Sequence, residues 1–505
     1  MSDPTLTRRE FLKLSARTAA AAALWSSGCA AFPPLESTGG QGALVNDRQG
    51  QLHPTRVRRI VTPVSVEAVQ TAITTADANG QAVSVCGGRH AMGGQQFGGG
   101  TILLDMARMN RVLEFDQRSG QVEVEAGITW PQLISHLNEA QQGRAEQWTI
   151  IQKQTGANDL SLGGALAANV HGRSLAQPPI ISQVEAFTLV DAAGQAVRCS
   201  RSERDDLFRL AIGGYGLFGV ITSVRLRLGR RMLLERQVEL LNAEDLIAAF
   251  GRRLADGYVY GDFQYAIDPG SPDYLRKGIL SCYRPVDPSL PVAAAQKALS
   301  VDQWRELVYL AHVNPSKAFD KYADHYLGTS GQRYWSDWHQ LSTYAANYHA
   351  DLDRRLQSRV KATEVITEIY VPRASLADFL GRVREEFRHH KTKLIYGTIR
   401  LIEPDRESFL NWAREAWVCI IFNIHTVHTP HGKAKSAGDF RRLIDAAIAH
   451  GGSYYLTYHR FAEPAQVRRC YPQMFEFLQL KRKYDPQERF QSDWYRHYKP
   501  FFTLR

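Results

Sequence analysis

Three glycine clusters in the first half of the chain limit its fold more than any other feature. They read Gly87-Gly88-Arg89-His90-Ala91-Met92-Gly93-Gly94, then Ser-Leu-Gly-Gly-Ala-Leu-Ala-Ala-Asn-Val-His-Gly-Arg-Ser over 161–174, then Gly-Gly-Tyr-Gly-Leu-Phe-Gly-Val-Ile over 213–221. Such runs let the backbone turn tightly and bring its N–H groups close to an anion such as pyrophosphate. Between them the pattern alternates strands and helices. Arg56–Thr62 reads as a strand stopped by Pro63, Ser65 as the cap of a helix over Val66–Ala78, and Ala82–Cys86 as a short buried strand. The third cluster holds a formal GxGxxG at Gly214, Gly216 and Gly219. A dinucleotide fingerprint needs a strand before it and a helix after it. Here Asp206–Ile212 has a helical pattern and Val220–Leu228 alternates like a strand, so that reading is rejected.

The first residues read as an address. Arg8-Arg9 followed by Phe11-Leu12 precedes an alanine-rich apolar stretch from Leu14 to Trp25, shorter than the ~20 residues of a membrane span. This is the pattern of a twin-arginine export signal over residues 1–31, with the twin-arginine translocase as partner and the periplasm as destination. The route carries folded proteins, which suits a chain loaded with a cofactor before export. Ser26-Ser27-Gly28-Cys29-Ala30 resembles a lipobox, with Ser26 where leucine is usual. Lipid anchoring through Cys29 and cleavage near Ala30–Ala31 to a soluble product both stay open. Residues 32–52, rich in Pro, Gly and Gln, read as a linker.

The length of 505 residues suggests two domains plus extras. The net charge of +10 falls to about +8 once Arg8, Arg9, Lys13, Arg17, Asp3 and Glu10 are set aside, which favours anionic partners or an acidic membrane surface. No dense Lys/Arg run with interleaved aromatics appears, so nucleic acid is not expected as a partner. The six cysteines show no CxxC or Cys/His spacing, and no metal site is expected. Without Cys29 an odd number remains, which rules out a fully paired set and leaves one or two bridges possible.

Taken in order, the three clusters resemble the PCMH-type FAD-binding domain of the vanillyl-alcohol-oxidase family, from about residue 53 to 229. Residues 161–228 look most like decaprenylphosphoryl-ribose oxidases, and Gly87-Gly88-Arg89-His90 like alditol oxidases and cytokinin dehydrogenases. The resemblance implies an α+β fold: a two-part FAD-binding domain, a cap domain over 230–459 with an antiparallel sheet, and a return of 460–505 onto the first domain. It implies that His90 carries FAD covalently, although Ala91 stands where relatives have serine. A second, cysteinyl bond is not expected, because 154–159 holds no cysteine. Backbone around Gly87, Gly88, Arg89, Ala91, Gly93, Gly163 and Gly164 is implied to contact the pyrophosphate. Asn169, His171 and Gly172 are implied to lie along the flavin, and Gly216, Gly219 and Ile221 to belong to the cofactor loops, with Ile221 at the adenine end.

In the cap, helical patterns at Val301–Val313, Trp338–Leu356, Ser375–Phe387 and Asp439–His450 alternate with strand-like runs. The runs are Phe263–Ile267, Glu364–Val371, Leu394–Leu401 and Val418–Thr426. This order suggests a sheet backed by helices on one face. Glu368 and Arg400 resemble an acid and an arginine that face the flavin in alditol and aldonolactone oxidases. Strand alternation groups Glu368 with Ile366 and Tyr370, and Arg400 with Thr398. His425 is a further candidate for the cavity, and His431 a weaker one in an expected loop. The stretch Gly451–Arg460 reads as a strand, with Tyr458 where decaprenylphosphoryl-ribose oxidases have a lysine. On a regular strand Tyr458 and His459 point to opposite faces, and the base that removes a hydroxyl proton is sought among Tyr458, His459 and Glu368. The implied activity is oxidation of a CH–OH group of a sugar, alditol, aldonolactone or related alcohol, with hydride passing to flavin N5 and oxygen or a carrier as electron acceptor. The rivals are an oxidase of a lipid-linked sugar working with a reductase partner, and a flavin-bearing binding protein without turnover.

Overall fold

A computed structural model describes residues 42–293, 296–341 and 348–502. The export signal and Cys29 fall outside the described residues. The helix Val66–Ala78 starts at Ser65, whose side chain accepts from Ala68 N, and it lies over a three-stranded parallel sheet of Arg59–Val61, Ile102–Asp105 and Val83–Cys86, with Ile102–Asp105 in the middle. Val69, Ile73, Val83 and Leu104 pack in one apolar cluster with Val190, Val220 and Phe490. That cluster joins the parallel sheet to a five-stranded antiparallel one, ordered Ala196–Ser200, Val184–Val190, Val220–Arg227, Gln121–Glu125, Val112–Asp116. The first glycine cluster follows the strand Val83–Cys86, the second opens the helix Leu162–Ala168, and the third leads into the strand Val220–Arg227.

The second body is built on eight antiparallel strands in the order Arg333–Trp335, Leu233–Asn242, Lys277–Val286, Tyr260–Tyr265, Leu394–Ile402, Trp417–Val427, Ala362–Pro372 and Ser453–Tyr454. Register assigns the two faces. Thr367 pairs with Phe422, and Phe422 meets Phe379 and Phe387 of the helix Leu376–His389. The neighbouring pair Glu368 and Ile421 therefore points the other way. Helices were expected on one face only, but the second is covered too. Tyr322 and Ala323 of the helix Pro315–Leu327 pack with Val238 and Ile279 of the sheet, joined by Trp304 and Leu307 of the helix Val301–Val313. Because these two helices stand over one end of that face, a cavity is left over the rest.

Three further expectations change. Residues 42–52 belong to the fold rather than to a linker: Ala43–Val45 pairs with Thr55–Val57, and Asp47 and Leu52 are buried. The expected helix Trp338–Leu356 is a single 3-10 turn at Trp338–Gln340 and a separate helix His349–Arg355 on either side of undescribed residues. The expected helix Asp439–His450 begins earlier, at Pro430, so His431 lies in its first turn and not in a loop. Cys86, Cys199, Cys282, Cys419 and Cys470 are all buried with free thiols. The tail returns through Gln491 N to Val83 O and Val83 N to Arg489 O, and Trp494 packs against Tyr215 with ring centroids 4.9 Å apart.

Candidate active site

One cavity of about 1440 Å³ runs from the glycine clusters to the open face of the eight-stranded sheet. This exceeds the ~300–1,000 Å³ of a single small-molecule pocket and leaves room for a cofactor and a substrate together. Its walls include Gly87, Gly88, Arg89, His90, Ala91, Gly163, Gly164, His171, Gly216, Gly219 and Ile221 on one side. Glu368, Arg400 and Tyr458 stand on the other. The close approach of the first two clusters depends on absent side chains: a Cβ at Gly87 would sit 1.9 Å from Ser161 Oγ. Ser161 in turn accepts from Gly88 N at 3.2 Å.

Glu368 is the hub of the polar end. It is 5% exposed, and four groups surround its carboxylate. Tyr458 donates to Oε1 at 2.5 Å and Tyr370 to Oε2 at 3.0 Å. His171 Nε2 lies 2.8 Å from Oε2 and the Cys419 thiol 3.6 Å from it. Burial alone pushes this acid up, but the charge and hydrogen bond of His171, the Tyr458 donor and the charge of Arg400 outweigh it and hold Glu368 at about 2. The Tyr458 phenol moves the opposite way, well above its ordinary value, through burial and the neighbouring Glu368 charge. Tyr458 is thus a neutral donor to an ionised carboxylate.

A second set of contacts shapes the loop 153–159, most of which lines the cavity. Arg400 donates to Thr155 Oγ1 at 2.5 Å. Lys153, fully buried, donates to the carbonyls of Gln154 and Ala157 at 2.6 and 3.0 Å. Burial, with the charges of Arg173 and Arg400, lowers its ammonium to about 7. At the end of the loop, Asp159 Oδ1 is 3.0 Å from His90 Nε2 and its other oxygen meets Arg48. Burial pushes Asp159 up, but His90 and Arg48 prevail and hold it at about 2.

Farther out, the cavity is aromatic and cationic. Arg236 lies over the rings of Tyr283, Tyr326 and Tyr334 at 5.0, 5.3 and 5.0 Å, and Arg173 lies 3.7 Å from Asp262. None of these residues, nor Lys153, carries a local sequence signal. Each acquires its surroundings only when distant strands and loops meet.

Five residues expected in the site are placed away from the cavity wall. Asn169 caps the helix Leu162–Ala168 with a left-handed backbone, and its side chain is spent on Asp405, Ser408 and Ile181 N. Gly172 backs onto Gln152 and Lys153, and Gly93 onto the Tyr458 carbonyl. His459 is turned aside because Ser453–Tyr454 is the whole of the strand and the chain then turns. The ring stacks on Phe461 at 5.2 Å and meets His53. His425 also lies outside the cavity wall.

Residues 57–200 match the family model described as FAD binding domain. This part of the chain is an FAD-binding domain. L-gulonolactone oxidase of Mus musculus is 32% identical to it over 165 residues, 33% of this chain and 36% of that protein. L-galactono-1,4-lactone dehydrogenase, mitochondrial, of Arabidopsis thaliana is 28% identical over 144 residues, 28% of this chain and 22% of the plant protein. L-gulono-1,4-lactone dehydrogenase of Mycobacterium tuberculosis is 24% identical over 448 residues, 86% of this chain and 95% of its own. The match thus spans about a third of the mammalian relative and nearly all of the mycobacterial one. The cavity fits FAD. Gly156 and Gly216 line it, and a Cβ at either would meet no protein atom within 4 Å. Gly216 also has φ +72°, which a side chain would strain. The cradle is open where a ligand backbone needs to approach.

Proposed function

We propose that this oxidoreductase removes hydrogen from a CH–OH group of an aldonolactone or related sugar alcohol. The observation that carries the reading is the convergence of Glu368, Tyr458, His171 and Arg400 on the cavity that also holds the glycine loops. When bound, FAD supplies the hydride acceptor. The residues of the chain supply binding and proton handling. Tyr458 accepts the substrate hydroxyl proton while passing its own to Glu368 Oε1, a transfer within ordinary hydrogen-bond reach. His171 and Arg400 keep Glu368 in its ionised, acceptor form while making it a weak base. The aromatic rings around Arg236 suit the apolar faces of a sugar ring, and Arg173 and Asp262 its hydroxyls. The names of the relatives, lactone oxidases and dehydrogenases, support the same substrate class.

His90 is the residue proposed to hold the cofactor covalently: its ring lines the cavity and is oriented by Asp159. The paired arginines support export of the folded, loaded chain to the periplasm. The test is anaerobic mixing of the purified yellow protein with aldonolactones, alditols and aldoses. Bleaching of the flavin absorption by a lactone or alditol is expected. A fully loaded protein that stays oxidised with every member of the panel would overturn the reading and favour binding without turnover. Air and an artificial carrier, supplied separately, distinguish the two electron acceptors.

A further inference from the structure

A second buried carboxylate lies on the same strand and the same face as Glu368. Glu364, 1% exposed, is four residues away, about 13 Å at ~3.3 Å per residue. Three histidines from three other elements converge on it. His425 is its direct cross-strand partner and places Nδ1 3.3 Å from Oε1. His312, in the last turn of the helix Val301–Val313, places Nε2 3.1 Å from the same oxygen. Their rings are perpendicular, with centroids 4.7 Å apart. The other oxygen accepts from Tyr348 at 2.8 Å and has His349 Nδ1 at 2.9 Å. Its donors are histidine and glutamate spread over more than a hundred residues, so no short motif in the sequence marks it.

The spacing is that of a metal site. Zinc bonds to nitrogen and oxygen of ~2.0–2.1 Å set the ligand atoms of a tetrahedron about 3.3 Å apart. The Glu364 oxygen and the two imidazole nitrogens approach this, and all three atoms lie within 4.8 Å of one another. Two nitrogens on one oxygen, with the other oxygen fixed by Tyr348 and His349, is also the way a ligating carboxylate is oriented by its neighbours. We propose that His312 Nε2, His425 Nδ1 and Glu364 Oε1 bind one divalent transition-metal ion, zinc by its donor set, with water in the fourth position. None of the three lines the cavity, so the ion is structural. It ties the helix Val301–Val313 to the strands Ala362–Pro372 and Trp417–Val427. These elements contribute Val308, Ala311, Ile366 and Asn423 to the cavity wall, so the ion fixes the far side of the substrate chamber.

The test measures metal in the full-length flavoprotein purified without a metal-affinity tag. About one zinc per chain is expected by mass spectrometry after equilibration with zinc chloride and desalting. Dipicolinate should remove it and lower the Tm, and zinc should restore both. His312→Gln and His425→Gln should each abolish stoichiometric binding while keeping flavin colour and circular dichroism. The wild-type chelation cycle carries the test if either variant fails to fold. Wild-type protein that retains no zinc, cobalt, iron or manganese after equilibration with each would overturn the proposal. So would equal metal content in a folded variant and the wild type.

Discussion

The Tyr458 hydroxyl lies 2.5 Å from Glu368 Oε1, which joins the turn after the edge strand Ser453–Tyr454 to a carboxylate on the neighbouring strand Ala362–Pro372. The pair is asymmetric: the acid is held ionised and the phenol protonated. Removing the phenol should therefore affect proton transfer more than binding. Tyr458→Phe is expected to lower the rate of anaerobic flavin reduction by about 10²- to 10⁴-fold with flavin content unchanged. Glu368→Gln should lower it at least as far. A Tyr458→Phe protein reduced at the full rate would remove Tyr458 from the proton path.

His90 and Asp159 make a second defined pair at 3.0 Å. If His90 carries the cofactor, acid precipitation of the wild type leaves the yellow colour in the pellet. His90→Ala is expected to release it to the supernatant while the fold survives. Asp159→Asn removes the carboxylate that orients the ring, and a fraction of releasable flavin is expected there. Acid-stable colour in His90→Ala would assign the attachment to another residue.

Lys153 gives a pH signature. Its ammonium is lowered by burial and by Arg173 and Arg400 to about 7, against an ordinary 10.5. Between these values the unfolded chain binds more protons than the folded one, so stability rises with pH across that window. Relative to Lys153→Met, the wild type should gain up to about 1 kcal/mol per pH unit from pH 7 to 10. Denaturant midpoints of the two proteins measured at several pH values check this, and parallel curves would reject it.

The parts of the fold legible in the sequence are those set by local chemistry. Val66–Ala78 and Val301–Val313 match their helices to the residue because Ser65 and Ser300 cap them and their apolar spacing is regular. Strand alternation groups Glu368 with Ile366 and Tyr370, and Arg400 with Thr398, and the register puts both groups on one face as the resemblance implies. Alternation failed at Gly451–Arg460, where hydrophobic burial on both sides comes from a turn packed between two bodies rather than from a strand. Trp338–Leu356 failed for a related reason: the side chains of His339 and Gln340 bond back to the Ser336 carbonyl, which favours a local turn over helix continuation. The loop held by Lys153 and the chamber around Arg236 exist only through contacts distant in sequence, so no local pattern announces them.

Acid should weaken the fold around His53, where the start of the first domain meets the C-terminal return. His53 lies against His459 and Phe461, and burial, followed by the charges of Arg460 and Lys433, lowers its ring to about 4. His497, shifted by burial and Arg460 to about 4, behaves alike. Both rings are neutral in the folded state, whereas in the unfolded chain they gain protons below the ordinary 6.5. Stability is therefore fully present above that value and is lost as pH falls toward 4. His53→Asn keeps a polar group of similar reach but has no proton to gain. Between pH 7.5 and 5 the wild type should lose about 1–2 kcal/mol more than the variant, read from denaturant midpoints. An equal loss in both would show that His53 is already solvated in the folded protein, and would place the acid sensitivity at other groups.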